Sequence, residues 1–361
     1  MTYAGMKSGR KASAIFLALA AIGVLFPGAL LAADAPKPGR CHALLISGQP
    51  GEEIYTRRYA DWLKRFHAYL VAAGVPKENI TVLSGDKGFK DAIVSGEATA
   101  EAVKKALADA AKKAKGEDQF ILFLVGHGVL AEEVPTLALP GPDVSARDLA
   151  DGLEAIPAEN QVVLNFAAGA GAFLKTMTRK GRVNVAATSP IEGNEPAYAE
   201  FFLRGLESKR ADGEGGPKDG AISVLEAYNW ATRETALWIS RIRMNEDGTW
   251  AVSGKESVEI FEKLYSGPAG KPGVRQLAAG SDRTKPDEAV TIKPEGGKIT
   301  EDWLTRRVLS EHALLDDTGT KEGQCAIGKE GYLALSAGKE GEPGALAACT
   351  VIGKAERLPA K

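Results

Sequence analysis

Apolar residues fall along this chain in two alternating patterns, short runs dense in apolar residues and longer stretches at helical spacing. Cys41 to Ser47, Ile80 to Ser84, Phe120 to Val125, Gln161 to Phe166 and Arg182 to Thr188 are the short runs, each of strand length. Phe120 to Val125 is apolar at every position, the mark of a central strand covered on both faces. Between the runs, Tyr59, Trp62, Phe66, Tyr69 and Ala73 share one face of a helix from about Arg57 to Ala73, closed by Gly74. Thr99 caps a second helix to about Lys115, with Val103, Leu107 and Ala110 inward and lysines outward. Ser145 with Asp148, and Ser223 with Glu226, have capping-box spacing and open two more helices. A further helix runs from Pro196 to Leu206. Alternation of this kind predicts an α/β fold, a three-layer α/β/α sandwich around a mostly parallel sheet.

The pattern fails at both ends. Lys7, Arg10 and Lys11 precede an apolar run from Ala12 to Leu31, broken by Pro27 and Gly28 and followed by Ala32, Ala33 and Ala35. That order predicts a signal peptide over residues 1–35, cleaved near Ala33 or Ala35, and hence a secreted or periplasmic protein. The Pro-Gly break and the alanines favour cleavage over the alternative, an uncleaved membrane anchor. Residues 36–241 form the main domain. A C-terminal extension, 242–361, holds a Pro/Gly-rich linker from Ser266 to Gly297 and a late helix near Glu301 to Leu314.

Composition narrows the picture. With 361 residues, 44% apolar and 25% charged, the chain can bury a substantial core. A net charge of −2 provides no field for nucleic acid or for a membrane surface once the leader is cleaved. The three cysteines are too few for a disulfide scaffold, although Cys325 and Cys349 could pair in an oxidising compartment, and Cys41 reads as a buried thiol. Four histidines and no Cys-x-x-Cys predict no metal and no cofactor. Asp219-Gly220-Ala221-Ile222-Ser223 with Glu226 matches the second half of an EF-hand loop. Its first half fails, with Gly215 and Pro217 at ligand positions, so the capping box is the better account.

The candidate chemistry sits at two strand ends. One strand runs into Gly126-His127-Gly128, and the next runs through Asn165 and Phe166 into Ala167-Ala168-Gly169-Ala170-Gly171. Both lie at the carboxyl edge, where open α/β sheets keep their sites. Together they resemble the caspase/legumain superfamily of cysteine peptidases, which pairs a strand-Gly-His-Gly with a strand ending in an acid or amide, Ala, Cys, a variable residue, Ser and Gly. The separation from His127 to Ala168, roughly 40 residues, is close to the caspase spacing of about 50. The segments Leu139 to Asp143, Arg182 to Thr188 and Glu311 to Asp317 look like a bacterial exported branch of it.

The resemblance implies that His127 is the general base and that the amides of Gly128 and Ala168 bind an oxyanion. It also exposes a gap. Aligning on Gly171 puts Ala168 at the nucleophile position and aligning on the strand start puts Ala167 there, so the thiol is missing in either register. The expectation is therefore an exported peptidase homologue without peptidase activity that binds a peptide or protein in a cleft lined by Asn165, Ala167, Gly169, Thr188 and Ser189. Two alternatives stand: a hydrolase using the hydroxyl of Thr188 or Ser189, and a structural exported protein. Glu195 and Tyr198 are candidates for a specificity pocket or for plain helix roles.

Overall fold

The short, mainly apolar runs become the sheet. The computed structural model describes residues 39–131, 134–190, 196–244 and 250–265, and the backbone of 275–276, 290–292, 314–316 and 351–354. The leader over 1–35, Glu195, Cys325, Cys349 and positions 301–313 of the expected late helix lie outside the described residues. In chain order the elements are β1 (Cys41–Ser47), α1 (Glu53–Ala72), β2 (Ile80–Ser84), β3 (Gly96–Glu97), α2 (Ala100–Lys113) and β4 (Gln119–Gly126). There follow β5 (Gly128–Ala131), β6 (Val134–Leu137), β7 (Val144–Ser145), α3 (Ala146–Glu154), β8 (Asn160–Ala167), α4 (Leu174–Met177), β9 (Arg182–Ala186) and α5 (Tyr198–Glu207). The rest are β10 (Ala221–Ser223), α6 (Val224–Ser240), β11 (Ile242–Met244), β12 (Trp250–Val252), α7 (Lys255–Tyr265), β13 (Arg275–Gln276), β14 (Val290–Ile292), β15 (Leu314–Asp316) and β16 (Val351–Lys354).

The central sheet has seven strands in the order β15-β9-β8-β4-β1-β2-β3. All its pairings are parallel except that of β15 with β9. Alternation along β4 shows why its run is apolar throughout. Ile121, Phe123 and Val125 enter a core with Trp62 and Phe66 of α1, Phe201 and Phe202 of α5, Trp238 of α6 and Phe261 of α7. Phe120, Leu122 and Leu124 enter the opposite core with Leu107 of α2, Leu149 of α3 and Met177 of α4. The architecture is thus α/β, with helices on both faces of a mostly parallel sheet.

The polar punctuation matches its expected roles. Thr99 accepts from the Ala102 N–H at 3.1 Å, and both capping boxes close, Ser145 with Asp148 and Ser223 with Glu226. Each satisfies amides that the first helical turn leaves without partners. Among the described residues no group of three or more His, Cys, Asp or Glu is placed to hold a metal ion, and no helix is long and apolar enough to cross a membrane.

Three features differ from the expectation. The stretch Ser266 to Gly297 is not only a linker, because β13 and β14 complete a four-stranded sheet with β11 and β12. Leu314, placed at the end of the late helix, instead opens β15 on the sheet edge. The core also continues past position 241: Ile242, Val252, Ile260, Phe261, Leu264 and Tyr265 pack into the α1 side. Two buried charges attach α7 there. Arg58 donates from Nε and Nη2 to the Leu264 carbonyl while lying 4.4 Å from the Tyr265 ring centroid. Glu200, fully buried, accepts from Trp62, Arg65, Arg204 and Lys263 and so joins α1, α5 and α7.

Candidate functional site

The carboxyl edge is built from backbone in close contact. A Cβ on Gly126 would stand 2.9 Å from the Gly48 nitrogen, and one on Gly48 would stand 2.6 Å from the Ala138 carbonyl oxygen. Neither position has space for a side chain, and Gly126 takes a φ of 148° that L side chains rarely adopt. The strand ends therefore converge and the chain turns at once into His127.

His127 is half-buried and held on two sides. Its Nε2 lies 2.9 Å from the Pro50 carbonyl oxygen, in the loop after β1. A carbonyl can only accept, so in the neutral ring Nε2 carries the proton and Nδ1 the lone pair. Tyr55 packs edge-on at 5.0 Å between ring centroids, and Tyr59, one turn further along α1, at 6.1 Å. Sequence reasoning missed Pro50 and Tyr55, and read Tyr59 only as part of a helix face. The available signal was two tyrosines four apart at the start of a helix that follows β1 directly.

The second strand end lies beside the first, because Gly126 of β4 pairs with Ala167 of β8. His127 and Ala168 thus follow neighbouring, paired residues. The approach is close enough that a Cβ on Gly128 would fall 1.8 Å from the Ala168 carbonyl oxygen. The expected oxyanion role of the Ala168 amide is corrected: that N–H donates to the Gly126 carbonyl at 3.1 Å and extends the ladder. Gly128 differs. It faces Leu137 in the β5–β6 hairpin, and the Ala138 amide bonds the His127 carbonyl at 2.9 Å. Gly128 and Leu137 are therefore a non-hydrogen-bonded pair, and the Gly128 N–H points away from β6.

The remaining candidates separate by burial. Gly169 and Ser189 are half-buried; Ser189 follows β9, the strand beside β8, and Gly169 adopts the left-handed φ of 62° that shapes the turn after Ala168. Ala168, the residue expected at the nucleophile position, is only 1% exposed, a covered methyl group. Asn165 and Ala167 do not line a cleft: both are buried, and Asn165 Oδ1 accepts from the Ala167 N–H at 3.2 Å. Thr188 is also buried, and its hydroxyl accepts from the Ala170 N–H at 2.9 Å and donates to the Ala167 carbonyl at 3.3 Å. A hydroxyl fixed in this way braces the turn and is not poised as a nucleophile. Tyr198 belongs to the core, fully buried against Phe166 with its hydroxyl on the Tyr228 carbonyl, and burial raises its phenol well above the usual range.

Cys41 lies at the amino end of β1, away from His127. Burial, with Asp118 adding to it, pushes its thiol up to about 12, so it remains protonated and inert. Sizeable cavities open elsewhere, one of about 380 Å³ beside Ser84 and Glu97 and one of about 400 Å³ around Arg65, Arg204 and Arg210. As it stands, the site can take up a proton on an imidazole and present one outward amide, beside a methyl group.

No protein-family model and no curated protein sequence matches the chain. Among solved structures, it is similar to the crystal structure of the Drosophila initiator caspase Dronc, with a TM-score of 0.34 and 11% identity over 71% of this chain and 80% of that chain.

Proposed function

We propose that this chain is an exported peptide-binding protein of caspase/legumain type that does not hydrolyse its ligand. One observation carries the reading: β4 and β8 set His127 and Ala168 on adjacent strand ends, and the side chain at 168 is a buried methyl. A methyl cannot attack a carbonyl, and removing the nucleophile from such a site removes most of its rate enhancement. The hydroxyl of Thr188 is committed to the turn, which takes away one of the two expected substitutes. The imidazole and the outward Gly128 amide suit binding of a polar backbone as well as they would suit chemistry. The apolar leader ending at Ala32, Ala33 and Ala35 supports export.

The test is to incubate the mature chain with a pool of short peptides. Saturable binding without cleavage is the expected result. Cleavage that is lost in His127→Ala would establish a hydrolase and overturn the proposal, and a chain that binds no peptide would leave a structural role instead. N-terminal sequencing of the exported chain should begin just after Ala33 or Ala35.

A further inference from the structure

The strand that leaves His127 has one edge to spare. In the small sheet β5-β6-β7, β6 pairs with one side of β5, and among the described residues no strand pairs with the other. The hairpin register fixes which backbone groups face that side. Gly128 stands opposite Leu137 at a non-hydrogen-bonded position, so Val129 bonds toward β6, and Gly128 and Leu130 turn their N–H and C=O groups outward. Donors and acceptors at alternate residues are what an added strand requires.

The two faces of the hairpin are unlike. Pro135 and Leu137 of β6 are buried toward the domain. The other face shows Val129 at 45% and Val134 at 46% exposure, two of the large apolar residues most open to water among those described. Val129 lies across from Thr136 and Val134 is paired two residues further along, so both valines share that outward face. An apolar strip beside an unpaired edge, continuous with His127, fits an extended peptide that adds its backbone to β5 and lays an aliphatic side chain over the valines.

We infer that β5 is the ligand-docking strand: a peptide in extended conformation, with aliphatic residues at alternate positions, pairs with Gly128 and Leu130 and packs on Val129 and Val134. This rests on the peptide-binding reading above and names the ligand class and its contact strand.

The experiment uses the mature full chain and a fluorescein-labelled Val-Thr-Val-Lys-Val-Thr hexapeptide, read by fluorescence anisotropy. It also uses two sets of the same hexapeptide N-methylated at odd or at even positions. The wild type should bind the unmodified probe, and the double variant Val129→Lys/Val134→Lys, which keeps the backbone edge and removes only the aliphatic contact, should bind about tenfold more weakly. Because both valines are exposed, the variant should melt within a few degrees of the wild type. One N-methylated set should lose binding and the other keep it, since only alternate amides face the edge. Equal binding by the double variant, or equal tolerance of both methylated sets, overturns the β5 assignment. Running the mixed peptide pool alongside separates the two claims. A wild type that binds pool members but not this probe, or binds them independently of β5, refutes the docking strand alone. One that binds none refutes the peptide-binding reading as well.

Discussion

Replacing Glu200 by glutamine should be among the most damaging single changes in this protein. Its carboxylate is fully buried and receives Arg65 at 2.6 Å, Arg204 at 2.9 Å, Lys263 at 3.0 Å and the Trp62 indole at 3.1 Å. Glutamine keeps the shape but removes the charge, so three cations lose their common counter-ion. Breaking a buried ion pair from one side costs about 3–5 kcal/mol. The same group predicts an acid response. Burial alone would raise its pKa, but the charges of Arg65 and Lys263 and the bonds from Arg204 and Lys263 outweigh burial and hold it at about 2, below the ordinary 4.5. A carboxyl depressed on folding stabilises above its unfolded pKa, and that contribution disappears as pH falls through the folded value. The window is therefore from about 4.5 down to about 2, and the shift corresponds to roughly 3 kcal/mol. Urea unfolding of wild type and Glu200→Gln at several pH values checks both parts. The gap between the two proteins should be widest at neutral pH and close toward pH 2. A variant within about 1 kcal/mol of wild type at neutral pH, or a gap unchanged by acid, would refute the reasoning.

Two further outcomes follow from buried groups near the sheet ends. Thr188→Val should cost about 1–3 kcal/mol in thermal or urea unfolding, because the Ala170 amide loses its acceptor in a dry site. An unchanged midpoint would mean that the turn after β8 does not depend on that hydroxyl. In a Cys325→Ser/Cys349→Ser background, the Cys41 thiol should resist a disulfide reagent such as DTNB in the native state and react after denaturation, as burial and a pKa near 12 require. Rapid native labelling would contradict its placement in the core.

Much of the central domain was legible before the structure. β1 and β2 match their apolar runs, and β4 and β8 extend theirs by one residue at each end, because strands covered on both faces are dense in apolar residues and carry few polar positions. The capping boxes at Ser145 and Ser223 were also readable, being local chemistry at fixed spacing. The start of α1 was placed too late, at Arg57 and not Glu53, because Glu52 makes no side-chain cap that would announce it. The β5–β6 hairpin escaped notice, since two four-residue strands with Pro135 inside one of them carry almost no periodic signal. Of the site, the neighbouring positions of His127 and Ala168 could be read because parallel strands end on a common edge. The loss of the Ala168 amide to Gly126, the use of the Thr188 hydroxyl and the Pro50 contact could not, since each depends on backbone geometry between segments distant in sequence. The roles of Arg58 and Glu200 were hidden for the same reason, with partners in α7 that only folding brings near.

The meeting of Gly48 and Gly126 as bare backbone has a further effect on how this protein can change over evolutionary time. Ground so tightly closed cannot be deepened, widened or re-lined by substitution, as any added atom would collide with a neighbouring main chain. New preferences must come instead from the connecting segments around it, which accept insertions and exchanges at little thermodynamic expense. Related chains that recognise different partners should accordingly share this pavement and diverge in the walls raised on it.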